Sequence, residues 1–152
     1  PEKSNKTEAK RSALWPAMAI NIADLSLSDK ALGNFKLTAR SEDNHWVIEQ
    51  GQLLSPVYQA SITEGRWSKS SEGDKTVISI QAESNDFSGL LERFGYQPSV
   101  EANESKLAIA LSWSDEPLAF SEELMVGSLG FKLKKGKLEL LFVILSYGLL
   151  LF

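Results

Sequence analysis

Alternation with a period of two residues runs through most of this chain, and it constrains the fold more than any other feature. Met18, Ile20 and Ile22 alternate with Ala17, Ala19, Asn21 and Ala23, and Leu25 and Leu27 continue the pattern. Side chains two residues apart share one face of a strand, so each such run has an apolar side and a more polar side. Phe35, Leu37 and Ala39 repeat the pattern against Lys36, Thr38 and Arg40. Residues 46–54 follow, with Gly51 as the candidate bulge. Residues 57–67 carry Tyr58, Ala60 and Ile62 on their apolar side. Ile78, Ile80 and Ala82 then alternate with Val77, Ser79, Gln81 and Glu83. Leu107, Ile109, Leu111 and Trp113 form the next run, and Leu129, Phe131 and Leu133 another. Turn-forming clusters separate the runs at 28–33, 42–45, 55–56, 68–75, 115–117 and 135–136. Strands recurring about every 10–20 residues with short loops predict a mostly β chain, an antiparallel meander.

One stretch breaks this period. Phe87, Leu90, Leu91 and Phe94 stand at i, i+3, i+4 and i+7, which places them on one face of a short helix over about residues 86–94. Asn85 or Asp86 can cap its first turn. Gly95 suits the left-handed position after its last turn, and Pro98 prevents it from resuming. The apolar helix face predicts packing on the sheet or at one end of it.

Composition narrows the function classes. The 152 residues carry 16 basic and 20 acidic side chains, a net charge of −4, and the basic residues cluster only at Lys132, Lys134, Lys135 and Lys137. Nucleic acid is therefore not an expected partner, since phosphate binding needs a concentrated positive surface. Cysteine is absent, which removes disulfides, thiolate metal sites and a cysteine nucleophile. Residues 1–14 are polar and lack periodicity, as in a disordered lead-in. The chain starts at Pro1 with no signal peptide or spanning segment, and it reads as a fragment or a processed piece.

No residue pattern points to an enzyme. His45 is the only histidine, in a predicted turn beside Asp43 and Asn44, without a nucleophile elbow. Asp115-Glu116 and Glu122-Glu123 lack calcium-loop spacing, and Gly127-Ser-Leu-Gly130 lacks the third glycine of a phosphate loop. No cofactor or metal site is expected. Trp15, Trp46, Trp67 and Trp113 could stack sugars or bases, but tryptophans near strand ends more commonly pack a sheet boundary. The apolar stripe through successive strands remains. It reads either as the core of a closed β-sandwich serving as an interaction module, or as the lining of an open groove.

The order of short motifs resembles the AsmA-like family, YhdP type, of Gram-negative bacteria. Ala31-Leu-Gly33 with Leu37 and Arg40 comes first, then Trp46, Ser55-Pro56 and Gly65-Arg-Trp67. Ser88-Gly-Leu-Leu91 with Phe94-Gly-Tyr96 follows, then Leu111-Ser-Trp113 with Pro117 and Phe120, and last Leu129-Gly-Phe-Lys-Leu133 with Gly136. The resemblance covers about residues 15–139. It implies a repetitive β-sheet curled into an open groove, in a periplasmic protein anchored in the inner membrane. Its implied role is to carry phospholipids between inner and outer membranes in outer-membrane biogenesis, with acyl chains as the partner and no catalytic residues. On that reading Phe35, Leu37, Tyr58, Ile62, Ile78, Ile80, Leu107, Ile109, Leu111, Phe131 and Leu133 line the groove. Phe87, Leu90, Leu91 and Phe94 pack the helix. At about 4.8 Å per strand, eight or nine strands extend roughly 40 Å, about one bilayer's thickness. The thirteen uncharged residues 140–152 depart from the family pattern and fall short of the roughly 20 a spanning helix needs. They are expected to be a truncated or frame-shifted end, or else a terminal strand or helix.

Overall fold

The computed structural model describes residues 13–97, 103–119, 121 and 125–135, and the backbone of 138–147. Eight strands follow the alternation: β1 (Met18–Leu27), β2 (Lys30–Glu42), β3 (His45–Leu54), β4 (Gln59–Ser70), β5 (Gly73–Ser84), β6 (Glu104–Trp113), β7 (Val126–Lys135) and β8 (Leu138–Tyr147). Each pairs antiparallel with the next, in the order β1-β2-β3-β4-β5-β6-β7-β8. The meander is therefore one open, unclosed sheet. No second sheet faces it among the described residues, which overturns the closed-sandwich alternative.

Turn chemistry sets the hairpins, and two loops are tighter than the sequence suggested. The 28–33 cluster reduces to Ser28-Asp29 with φ of 49° and 64°, because Lys30 and Ala31 already pair with Leu27 and Ser26. Two left-handed residues match the twist of flanking strands. Likewise the strands beside the 68–75 loop extend to Ser70 and Gly73. Gly33 is fixed by geometry: its φ is +124°, and a Cβ there would stand 2.2 Å from the Leu54 carbonyl oxygen.

Bulges fall at positions that carry no glycine or other local signal. The β2–β3 register shifts between Thr38 and Ala39, leaving Glu49 as the extra residue, and the β4–β5 register shifts between Ile62 and Glu64, leaving Thr63. Gly51 itself stays on the ladder opposite Leu37. Such insertions raise local twist.

The helix, α1 (Phe87–Arg93), links β5 to β6. Asp86 is its cap, accepting the Gly89 N–H at 3.0 Å. Gly95, with φ of +85°, ends it: its N–H donates to the Glu92 carbonyl at 3.0 Å and the Tyr96 N–H to Leu91 at 2.9 Å. That is a Schellman closure, which satisfies two carbonyls of the last turn.

The boundaries also differ from expectation. Leu14, assigned to the lead-in, packs with Trp15 on the buried cluster of Leu37, Ala39, Trp46 and Trp67. The tail's residues 140–147 belong to β8 and pair with β7. Residues 1–12, Pro98, Phe120, Glu122, Glu123, Gly136 and 148–152 lie outside the described residues. No helix among the described residues is long and apolar enough to cross a membrane.

Candidate functional site

Register places ten of the eleven predicted lining residues on one face. Ile22, Phe35, Leu53, Ala60, Ala82, Leu107 and Phe131 are successive partners across seven strands, and so form a continuous row. The next row runs Ile20, Leu37 and Gly51, then Ile62, Ile80, Ile109 and Leu129. A third holds Met18, Ala39 and Ile48, then Gly65, Ile78, Leu111 and Gly127. Leu133 follows Ser84 and Ser105 at the margin beside the first row.

Three glycines let this face pack across strands. A Cβ on Gly51 would meet Ile62 Cδ1 at 2.6 Å, one on Gly65 would meet Ile48 Cδ1 at 2.6 Å, and one on Gly127 would meet Leu111 Cδ2 at 2.5 Å. Each aliphatic side chain leans over the bare backbone of its neighbour. In the middle of the sheet Ile62, Ile78, Ile80, Leu107, Ile109 and Leu111 are half-buried. At the β1 edge Ile20 and Ile22 are each 38% exposed. The sheet thus offers a broad apolar surface that the described residues leave partly uncovered.

Both margins of this face are closed differently. Along one lie the tryptophans: Trp46, Trp67, Thr76 and Trp113 are register partners, and Trp67 is fully buried. Trp15 folds over them with edge-on contacts of 5.1 Å to Trp46 and 5.3 Å to Trp67. The indole N–H groups of the three strand tryptophans are engaged, Trp46 with the Pro16 carbonyl at 3.1 Å, Trp67 with Asp74 Oδ2 at 3.0 Å and Trp113 with the Glu116 carbonyl at 2.9 Å. A bonded, interlocked cluster is boundary packing rather than a stacking platform.

Along the opposite margin lies α1. Phe87 meets Phe131 of β7 with ring centroids 5.9 Å apart, and Phe94 meets Tyr58 at 6.3 Å. Arg93 Nε donates to the Ala31 carbonyl of β2 at 3.2 Å. Leu90 and Leu91 are half-buried, Phe94 is 38% exposed, and no helix residue is buried.

Tyr58, the eleventh predicted residue, sits in the β3–β4 loop instead of on a strand. Ser55 closes that loop by donating its N–H to the Tyr58 carbonyl at 2.9 Å. The Tyr58 hydroxyl donates to the Leu32 carbonyl at 2.5 Å, so the ring buttresses α1. Partial burial raises its pKa above the usual 10.0, against the opposing pull of Arg93.

The other face is polar: Lys36, Gln52, Ser61, Gln81, Ala108 and Gly130 form one of its rows. A hollow of about 520 Å³ opens here, on the polar side. Long side chains wall it, among them Gln52, Gln59, Glu83, Lys106 and Lys132, around a floor of Ser61, Ala108 and Gly130. Of the predicted lining residues only Leu107 and Phe131 border it.

Sequence reasoning missed the hollow, because it depends on side-chain lengths compared across several strands. It also left Ile48 and Leu53 out of the apolar face, and named Leu129 in its strand's apolar run without counting it as lining. The Glu49 bulge reverses the alternation between Ile48 and Leu53, so a strict period of two could not have put both on one face. His45 opens β3, and its Nδ1 lies 2.9 Å from Ser68 Oγ, a contact fixed by the β3–β4 register. No group of three or more His, Asp or Glu side chains gathers as for a metal ion among the described residues.

Comparison with known proteins fits this architecture to a family. No curated protein and no solved structure matches the chain. The model of one family, described as YhdP protein, matches residues 1–142. That span takes in β1 to β7, α1 and the first residues of β8, and the chain belongs to the YhdP family.

Proposed function

We propose that this chain is a section of a lipid conduit, in which phospholipid acyl chains lie on the apolar face. The parent would be an inner-membrane-anchored periplasmic protein carrying phospholipid between inner and outer membranes. The observation that carries the reading is the single unclosed sheet, whose rows of aliphatic and aromatic side chains have no opposing layer among the described residues. Family membership supports it, since resemblance to YhdP-type proteins implies lipid transport.

Physical chemistry favours the same occupant. Burying a CH₂ is worth about 0.8 kcal/mol, so two long acyl chains left in water cost on the order of 20 kcal/mol. A lipid crossing an aqueous space therefore needs apolar cover at each step. Rows running perpendicular to the strands supply it, along an axis that crosses the sheet from strand to strand. The polar hollow is no rival site for acyl chains, because Glu83, Lys106 and Lys132 would lose hydration against them.

The test is phospholipid transfer between vesicles by the full-length parent. Ile80→Asp and Ile109→Asp, on the apolar face, should each lower the transfer rate strongly. Ser79→Asp, on the opposite face, should leave it near the parent value. Equal effects at all three positions would overturn the assignment.

A further inference from the structure

The two margins of the apolar face are held with unequal firmness. On the tryptophan side Trp67 is fully buried and three indoles interlock. On the helix side no residue of α1 is buried; Phe87 meets Phe131 and Arg93 donates to the Ala31 carbonyl, while Phe94, just past the helix, meets Tyr58 of the β3–β4 loop. Segments with few buried apolar contacts open at little cost compared with the whole domain.

Within itself α1 is well made. Asp86 caps it and the Gly95 closure ends it, so it can move as one body. Its entry is a fixed pivot: Ser84 Oγ donates to the Val57 carbonyl at 2.5 Å and receives the Asp86 N–H at 3.1 Å. Seven residues make a helix of about 10 Å, yet its contacts run from Phe131 on β7 to Ala31 on β2. It therefore lies along the margin, with Phe87 against Phe131, one end of the row that also holds Phe35, Ala82 and Leu107.

We infer that α1 is a flap, lifted when an acyl chain takes its place on that row and lowered when the row is empty. This rests on the acyl-binding reading above and adds its regulation. The lowered flap replaces part of the missing apolar cover, with Phe87 on Phe131 and Phe94 on Tyr58. An incoming chain exchanges those ring contacts for its own.

These 152 residues hold no cysteine, so an introduced pair is the only one in this section of the protein. Ala31→Cys and Arg93→Cys are combined in the full-length parent and joined by a short bis-methanethiosulfonate reagent, which a reductant cleaves. A photo-crosslinking residue is placed at Leu107, the register partner of Phe131, or at Ile109, one row further from α1. Joining the cysteines should abolish lipid adducts at Leu107 and slow vesicle-to-vesicle transfer, and reductant should restore both. Phe87→Ala, which frees the flap from Phe131, should raise the Leu107 adduct yield without any linker. Unchanged Leu107 adducts in the joined protein, with Ile109 still labelled by lipid, would overturn the flap alone. Absence of lipid adducts at both positions in the unjoined protein would overturn the acyl-binding reading and the flap with it.

Discussion

Ile109→Asp separates an exposed apolar face from a buried core by magnitude. Ile109 sits between Ile80 and Leu129 in its row and is half-buried, with no layer above it among the described residues. Fully burying an isoleucine is worth about 1.5–3 kcal/mol; with part of the side chain already exposed, removing it costs about 1–2 kcal/mol. Aspartate is a poor strand former, which adds up to about 1 kcal/mol. The carboxylate can turn into solvent, so no large desolvation penalty follows. The expected loss is about 2–3 kcal/mol, which leaves the fold standing if total stability lies in the ordinary 5–15 kcal/mol range. In a closed core an unpaired carboxylate would cost several kcal/mol more and empty the folded state. Urea denaturation followed by tryptophan fluorescence reads this directly. With slopes of about 1–3 kcal/mol per molar, the midpoint should fall by roughly 1–2 M with an unchanged slope. An unfolded Ile109→Asp protein in the absence of urea would refute the open-face reasoning.

Other substitutions test other parts of the account. Trp67→Ala empties the buried centre of the tryptophan margin and should cost about 3–5 kcal/mol, more than any single change at mid-face, measured by the same denaturation. Leu91→Ala, on a half-buried helix, should cost no more than about 2 kcal/mol, the low end for such truncations; a larger loss would place α1 in the core. Gly33→Ala should destabilise strongly, since its Cβ meets the Leu54 carbonyl and its φ is positive, and circular dichroism melting would show it. Tyr58 holds its proton more tightly folded than unfolded, so stability should decline as pH rises from about 10 through the raised value. Tyr58→Phe should remove that decline. Deleting residues 140–152 takes away most of β8 and bares the β7 edge, so the melting temperature should drop; an unchanged value would mean β8 adds nothing to the sheet.

The strands and the membership of the apolar face were legible because both follow from a period of two. Ile78, Ile80 and Leu107 could be assigned to one side without coordinates, and the helix was marked by its own period and its Asp86 and Gly95 signals. The bulges at Glu49 and Thr63 were not legible, because an extra residue shows only against its partner strand. Gly51 misled for the same reason: its bareness serves Ile62 from the next strand rather than a kink in its own. Tyr58 fitted the alternation of β4 by chance of position, and the Ser55–Tyr58 closure that removes it from the strand is a backbone hydrogen bond. The joining of Trp15 to Trp46 and Trp67 spans more than fifty residues and needed the fold.

Site-specific photo-crosslinking in the full-length parent tests the central claim most directly. A crosslinking residue is placed in turn at Ile80 and Ile109 on the apolar face, and at Lys36 and Lys132 on the polar face, and phospholipid adducts are measured by mass spectrometry. The account predicts adducts at Ile80 and Ile109, lost when an aspartate is placed in the neighbouring row, and background levels at the two lysine positions. Adducts equally frequent at Lys36 and Lys132 would contradict it.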